Sequence, residues 1–237
     1  MERKLNLLLV LVAIVLAVPA KAQNCSDYML LNNNTQYEIL TYNQKDKLMS
    51  KATYVVTNVN TNNNRVEATV QTQVYDNKDK LSSEGEFIIG CDGGTISMDM
   101  RSLMNPGMMD AYKNMDVSME GDKMLYPGNL QTGQKLEDGT MTITVKDKSS
   151  GQNISTMTMK IIDRTVEGKE SIKVPAGTYD SFKISQRTEM ENQAMGMKMP
   201  GMKIQTVEYY VPKIGMVRSE SYRNGKLMSY SVLNKVN

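Results

Sequence analysis

The feature that most constrains the fold of this 237-residue chain is an apolar periodicity of two residues. It is clearest in "RVEATVQTQVY", which begins at Arg65 and alternates small apolar side chains with polar ones. One face of this segment carries Val66, Ala68, Val70, Thr72 and Val74. "MTITV" and "STMTMKII" repeat the pattern, with Met141, Ile143, Val145, Met157, Met159 and Ile161 predicted to point inward. Such alternation is typical of antiparallel strands with one buried face.

Turn signals separate these segments at the spacing of an all-β domain. Asn224-Gly225 lies between two alternating segments, which is the strongest short-range signal of a β-hairpin. Pro175 with Gly177, and Pro212 with Gly215, mark further turns or bulges. These turn signals divide the chain into about eleven predicted strands. We therefore predict an all-β, antiparallel fold, either a strongly curved sheet or an incomplete barrel.

A single β-rich domain is expected over residues 23–237. The alternation lapses in the middle of the chain, where Pro106 and Pro127 occur and where Asp110 to Met115 could form a short helix. The predicted divisions are a first meander over 35–100, a methionine-rich crossover over 101–130, and a second meander over 131–236.

The first 22 residues have the features of a secretory signal peptide. Arg3 and Lys4 precede an apolar segment from Leu7 to Val18, and "AKA" at Ala20 to Ala22 is a small-x-small cleavage signal. We expect export to the periplasm or beyond, with no transmembrane segment in the mature chain.

The chain has two cysteines, Cys25 and Cys91. In an oxidising compartment a disulfide is the simplest expectation, and it would close a loop of 66 residues. A lipid anchor on Cys25 is the alternative, although Asn24 and Ala22 occupy places where lipoprotein signals favour other residues. A reactive thiol is a weaker alternative, because no histidine is present to activate it.

The composition argues against several function classes. Beyond residue 22 the chain carries 25 basic and 25 acidic residues, which does not favour nucleic acid as a partner. The absence of histidine removes Ser-His and Cys-His nucleophile pairs and histidine-based zinc or copper(II) sites. No nucleotide-binding or nucleophile-elbow motif is present. We expect a non-enzyme with no cofactor.

Three sequence segments in the second half of the chain resemble those of a known family. "YPGNLQTGQKL" from Tyr126, "VPAGTYDSFKI" from Val174 and "YYVPKIGMVRSE" from Tyr209 resemble the TapB-like family of exported bacterial proteins of unknown function. The resemblance covers about Tyr126 to Leu233. It implies a signal peptide and a β-rich exported domain, and it supplies no catalytic residues.

The methionines are clustered. Thirteen of the 20 that follow residue 22 lie within 98–124 and 190–202. The candidate ligand-binding residues are Met98, Met100, Met104, Met108, Met109, Met195, Met197, Met199 and Met202. Three interpretations stay open: an adaptable apolar mouth for a lipid-like molecule, a copper(I) site made of thioethers, or methionine-rich surface segments. The corresponding functions are an exported binder of an apolar molecule, a copper(I)-binding protein, or a structural or envelope-assembly protein with a protein partner.

The signal peptide makes a prediction about the mature chain. Cleavage after Ala22 should leave 215 residues that begin at Gln23. Intact-mass spectrometry of the protein from its own envelope fraction should give that mass, lighter by the two hydrogens of a disulfide. A mass larger by a diacylglycerol group on a chain that begins at Cys25 would instead establish the lipid anchor.

Overall fold

The computed structural model describes residues 25–63, 65–103 and 112–237. Within these ranges, thirteen strands form one sheet, joined by short turns and three 3₁₀ helices. The helices are η1 Cys25–Asp27, η2 Met29–Leu31 and η3 Met100–Leu103. The strands are β1 Gln36–Asn43, β2 Leu48–Asn62, β3 Arg65–Asp76, β4 Leu81–Asp92, β5 Thr95–Asp99, β6 Asp116–Gly121, β7 Lys123–Pro127, β8 Gly139–Lys146, β9 Asn153–Val174, β10 Gly177–Ala194, β11 Met197–Val211, β12 Gly215–Arg223 and β13 Lys226–Val236.

All the strand pairings are antiparallel, and the sheet curls into a nearly closed barrel shape with one unsealed seam. The order across the sheet is β6-β8-β9-β10-β11-β12-β13-β1-β2-β3-β4-β5-β7. The predicted all-β class is confirmed. The two predicted meanders correspond to β1–β5 and β8–β13, and the pairing of β1 with β13 joins them into one sheet.

Most of the predicted inward residues form the core, although Val74 is only half-buried. In β3, Val66, Ala68 and Val70 are buried, while their neighbours Arg65 and Glu67 are exposed. In β8 and β9, the predicted inward residues are buried apart from Met157, which is half-buried. The period-two pattern therefore identified the inner face of these strands correctly.

The predicted turns are also confirmed. Asn224 and Gly225, with φ of 52° and 73°, connect β12 to β13. Both φ values are positive, as a type I′ hairpin turn requires. Gly215 has φ of 104°, and a Cβ at this position would lie 2.8 Å from Leu30 Cδ1. This turn therefore needs glycine for its backbone conformation, and a Cβ would in addition displace the end of the Leu30 side chain.

The middle of the chain differs from the predicted crossover over 101–130. It contains η3 and two short strands, β6 and β7, so the estimate of about eleven strands was too low. β6 and β7 are five or six residues long and lie at the two edges of the sheet, where polar residues are tolerated. Each strand contributes only two inward apolar residues, Val117 and Met119 in β6 and Met124 and Tyr126 in β7, so the alternation is too short to stand out in the sequence. The predicted helix at Asp110 to Met115 and the signal peptide fall partly or wholly outside the described residues.

The seam lies where these two strands meet. β6 and β7 are consecutive in the chain but occupy opposite edges of the sheet, with only Asp122 between them. This short connection brings the two edges together. Asp122 donates its N–H to Thr140 O at 2.9 Å, and the Thr140 N–H donates to Asp122 Oδ2 at 2.7 Å. The connection is thereby fixed to the start of β8.

A buried arginine spans the seam from inside. The Arg164 side chain, on β9, donates from Nη1 to Glu137 O at 2.8 Å and to Leu125 O, on β7, at 3.3 Å. Its guanidinium carbon lies 4.9 Å from the centre of the Tyr126 ring. These contacts tie the edge strand β7 to β9 and to the segment before β8.

The arginine belongs to a buried polar network of four side chains. Arg164 Nε donates to Gln186 Oε1 at 3.2 Å, and Gln186 Nε2 donates to Glu208 Oε1 at 2.8 Å. Tyr126 is the fourth member of the network and donates its hydroxyl to Glu208 Oε2 at 3.0 Å. The four residues come from β7, β9, β10 and β11. The network therefore holds one edge of the sheet against three strands near the other edge.

A bulge turns Arg164 inward. Ser185 pairs with Thr165 and Arg187 pairs with Ile162, so Gln186 faces two residues of β9, Asp163 and Arg164. Asp163 takes the left-handed conformation, with φ of 58°. The extra residue resets the alternation, so that Ile161 and Arg164, three positions apart, both face the interior.

Burial raises the pKa of the Glu208 carboxyl, and the positive charge of Arg164 partly offsets this effect. A carboxyl whose pKa is higher in the folded state stabilises the fold fully below its unfolded pKa, and that contribution is lost as pH rises through the folded pKa. The positive charge of Arg164 is the strongest of the contacts that favour the ionised form of Glu208.

Replacing Arg164 with methionine should therefore destabilise the protein in a pH-dependent way. At pH 7 the variant leaves a buried carboxylate uncompensated, and the free energy of unfolding should fall by about 3–5 kcal/mol. At pH 4 Glu208 is protonated, and the loss should be smaller. Guanidinium-chloride unfolding at both pH values measures this, with Arg223→Met at an exposed position of β12 as the control. An equal loss at the two pH values would contradict the assignment.

Candidate functional site

The N-terminal segment closes one part of the sheet. A disulfide joins Cys25 of η1 to Cys91 of β4, as the sequence predicted. Tyr28 donates its hydroxyl to Gly94 O at 2.8 Å, and Met29 donates its N–H to Lys213 O at 2.8 Å. With its sulfur in the disulfide, Cys25 has no thiol to carry a lipid. The segment is held at three points, and this fixes the position of η2.

An apolar recess lies beneath this segment and η3. Its volume is about 120 Å³. Eleven of its twelve lining residues are aliphatic, aromatic or methionine side chains. The lining consists of Met29, Leu30, Tyr37, Ile39, Tyr54, Phe87, Met98, Ser102, Leu103, Ile214, Met216 and Leu233. The recess therefore combines residues from both meanders and from the two helices that cover them.

Three aromatic rings form one wall of the recess. Tyr37 and Tyr54 stack with ring centres 4.5 Å apart, and the Phe87 ring meets Tyr54 edge-on at 6.2 Å. Burial raises the pKa of both tyrosine hydroxyls, so they stay neutral at physiological pH. The wall is rigid, because paired rings on neighbouring strands restrict one another.

Besides the two tyrosine hydroxyls, the described lining contains one other side-chain hydroxyl, that of Ser102. Ser102 Oγ, in η3, is buried and has no hydrogen-bond partner among the described residues. A buried hydroxyl without a partner lowers stability by about 1–3 kcal/mol. Pockets for small molecules combine an apolar lining with a few such polar groups. Ser102 is therefore the group in this recess that could orient a ligand.

The structure separates the predicted methionines. Met98 lines the recess, and Met100 is fully buried in the core. Met104, Met108 and Met109 lie outside the described residues. Met195, Met197 and Met199 are exposed at the β10–β11 turn, by 74%, 66% and 51%, and Met202 is half-buried in β11. None of Met195, Met197, Met199 and Met202 lines the recess. The ligand-binding role of the nine methionines named from the sequence therefore stays a prediction.

Sequence analysis did not identify the residues that define the recess. Tyr37, Tyr54 and Phe87 belong to three strands, and alternation shows only that each faces inward. Their contact depends on the pairing of β1 with β2 and on the curl of the sheet. Ser102 carried no signal, because it lies in a segment without periodicity.

No three cysteine, aspartate or glutamate side chains within 25–63, 65–103 and 112–237 come together as a metal site. In that part of the chain, no helix is long and apolar enough to cross a membrane.

Comparison with known proteins gives a family and two structural relatives. Residues 32–233 match the DUF3108-like family. The structure resembles that of a Bacteroides fragilis protein described as exported and as having a YmcC-like fold. The TM-score is 0.67 and the identity 27%, over 87% of this chain and 96% of the other. It also resembles a Parabacteroides distasonis protein described as a lipoprotein, with a TM-score of 0.70 and 22% identity over 89% and 98% of the two chains. At that identity the second likeness shows the fold alone.

No curated protein matches the sequence. The comparisons support the predicted resemblance to β-rich exported bacterial proteins, and they do not confirm the TapB-like name. The description of the Bacteroides fragilis protein is consistent with the predicted export of the chain.

The disulfide should be a main stabiliser of the recess wall. Replacing Cys25 and Cys91 together with alanine opens a loop of 66 residues. The chain-entropy model predicts that the free energy of unfolding falls by about 4 kcal/mol. Denaturant unfolding of the wild type and the double variant, each with and without dithiothreitol, measures the loss. Reduction should destabilise only the wild type, and a loss below about 1 kcal/mol would contradict the role.

Proposed function

Because the chain belongs to the DUF3108-like family, whose name assigns no activity, we propose its function from the geometry of the recess. The protein is a non-catalytic exported protein that binds a small amphiphile. The apolar end of that molecule occupies the recess, and its single polar group contacts Ser102. The unpartnered hydroxyl at an otherwise apolar recess is the observation that carries this proposal.

The size of the recess limits the apolar part of the ligand. An engineered apolar cavity of 150 Å³ stays dry and binds benzene. A recess of about 120 Å³ is therefore suited to a short aliphatic group, such as the terminal carbons of an acyl chain. Leu103, at 45% exposure, lies at the mouth, where a longer chain would leave the recess.

The polar part of the ligand is limited by the one unpartnered hydroxyl among the described lining residues. Ser102 Oγ can donate one hydrogen bond and accept others. A ligand hydroxyl, carbonyl or carboxyl would satisfy it and would remove the penalty of a buried unpaired group. No charged side chain lines the recess within residues 25–63, 65–103 and 112–237, so these residues do not require a ligand of either sign.

The chemistry available to the chain supports a binding role over catalysis. Histidine is absent from the sequence, and both cysteines are joined in the disulfide. Among the described residues, the recess lining contains no carboxylate or amine that could transfer a proton. We further propose that the protein works in the periplasm or outside the cell, where the disulfide forms readily.

The native methionines can report on the recess. In protein labelled with ¹³C at the methionine methyl groups, titration with 1-hexanol should shift Met29, Met98 and Met216 with one saturating curve, because these three line the recess. Met49 and Met228, which are about half-exposed on β2 and β13, serve as internal controls and should not move.

A matched variant separates the two parts of the proposal. Ser102→Ala should weaken hexanol binding by roughly 2- to 12-fold, the loss of one hydrogen bond, and leave benzene binding unchanged. If neither probe shifts the recess methionines in a saturable way, the proposed function is wrong. If benzene and hexanol bind equally well to both proteins, Ser102 has no role in recognition.

A further inference from the structure

We propose that the inner face of β9, β10 and β11 carries a second site, at which the thioethers of Met159, Met190 and Met202 bind Cu(I). The site lies on the β10–β11 hairpin and the part of β9 that pairs with it, which we call the hairpin arm, and it is separate from the apolar recess. Its evidence is the strand register, a bulge, the burial of the three side chains and the charge distribution over the two faces of the sheet.

The register aligns the three methionines in one row. Met190 on β10 pairs directly with Met159 on β9 and with Met202 on β11. Met141 on β8 pairs with Met159 and extends the row into the core. Directly paired residues on neighbouring strands have Cβ atoms roughly 4.5–5.5 Å apart and point to the same face. A methionine sulfur lies two bonds beyond Cβ, so the sulfurs of Met159 and Met202 can both reach the space above Met190.

A bulge in β11 places Met199 on the same face of the sheet as Met202. Met190 pairs with Met202 but Asn192 pairs with Met199, so β11 has one residue more than β10 between these pairs. Under strict alternation, Met199 and Met202 would point to opposite faces. The bulge at Pro200 and Gly201 places both on the inner face. A Cβ on Gly201 would lie 2.8 Å from Met190 O, so this bulge requires glycine.

The burial of the row changes gradually along it. Met141 and Met159 are buried, Met190 and Met202 are half-buried, and Met199 is 51% exposed at the end of the arm. Behind Met141, the sulfurs of Met100 and Met124 each lie 3.0 Å from the position of a Cβ on Gly139. A thioether series thus runs from solvent to the core, and Met190 and Met202 are accessible to an ion.

The charged side chains of the arm lie on the other face. Lys203 pairs with Glu189, with Nζ and Oε1 3.0 Å apart, and Lys160 contacts Glu191 at the same distance. Each of these residues is adjacent in sequence to a methionine of the row or to its cross-strand neighbour, so alternation directs it to the outer face. The lysines are therefore neutralised on the outer face and do not oppose a cation on the inner one.

The chemistry of the row fits a soft monovalent ion. Thioether sulfur is a soft ligand that favours Cu(I) over Mg²⁺ or Ca²⁺. Apolar packing alone could use valine or isoleucine, which suit strand positions better than methionine. The site carries no charge of its own, so it also suits an ion with a single positive charge. Binding involves no change of oxidation state, because the ion enters and leaves as Cu(I).

The test uses Cu(I) itself, added anaerobically to the full exported chain labelled with ¹³C at the methionine methyl groups. One equivalent should shift Met159, Met190 and Met202 together, while Met49 and Met228 stay unchanged. Met190→Leu keeps the volume of the side chain and should leave the fold intact. It should weaken binding by at least the roughly 10- to 100-fold that the loss of an outer-shell partner causes at metal sites.

Met228→Leu, at an exposed position of β13, is the matched control and should bind as the wild type does. The proposal is overturned if Cu(I) shifts only Met195 and Met197 at the turn, or if Met190→Leu binds with unchanged affinity. It is also overturned if no methionine shifts in a saturable way.

Discussion

The tie that Arg164 makes across the seam is the interaction on which the closed form of the sheet depends. The strand order places β6 and β7 at opposite edges, yet Asp122 alone connects them. No regular backbone ladder joins the two edges within the described residues. The guanidinium of Arg164 and the hydroxyl of Tyr126 supply contacts that the backbone does not. Glu208 makes the tie specific, because its carboxylate compensates the buried positive charge and accepts two hydrogen bonds.

The consequences extend to the rest of the chain through β7. This strand pairs with β5, and Met98 on β5 both faces Met124 on β7 and lines the apolar recess. On the other side of the seam, β8 and β9 carry the buried end of the methionine row. Met98 of the recess and Met141 of the methionine row therefore lie on strands on either side of the seam.

Much of the fold could be predicted from the sequence, because most strands follow strict alternation. The alternating apolar side chains of Val66 to Val70 and of Met141 to Val145 face the interior as predicted. Asn224-Gly225 forms the expected hairpin turn. The period-two pattern failed to predict the bulges and the short strands at the edges of the sheet. An extra residue at Asp163 resets the alternation and turns Arg164 inward, and another near Gly201 brings Met199 and Met202 to one face. A bulge is set by the partner strand, so a period-two pattern cannot reveal it.

The candidate sites were predictable only in part, for the same reason. The clustering of methionines was visible in the sequence, but the row of Met159, Met190 and Met202 depends on the register of three strands. The recess depends on contacts between residues that are far apart in the chain, such as Leu30, Phe87 and Ile214. Such contacts follow from the curl of the sheet and from the disulfide that holds the N-terminal segment.

The most direct measurement of the seam tie is native-state hydrogen exchange of the wild-type protein. If Arg164 and Tyr126 hold β7 as described, the β7 amides that pair with β5 should exchange only through global unfolding. Their opening free energy should then equal that of central amides in β10, such as Ile184. Rapid exchange of β7 through local opening, with β10 still protected, would contradict the claim that this network closes the sheet.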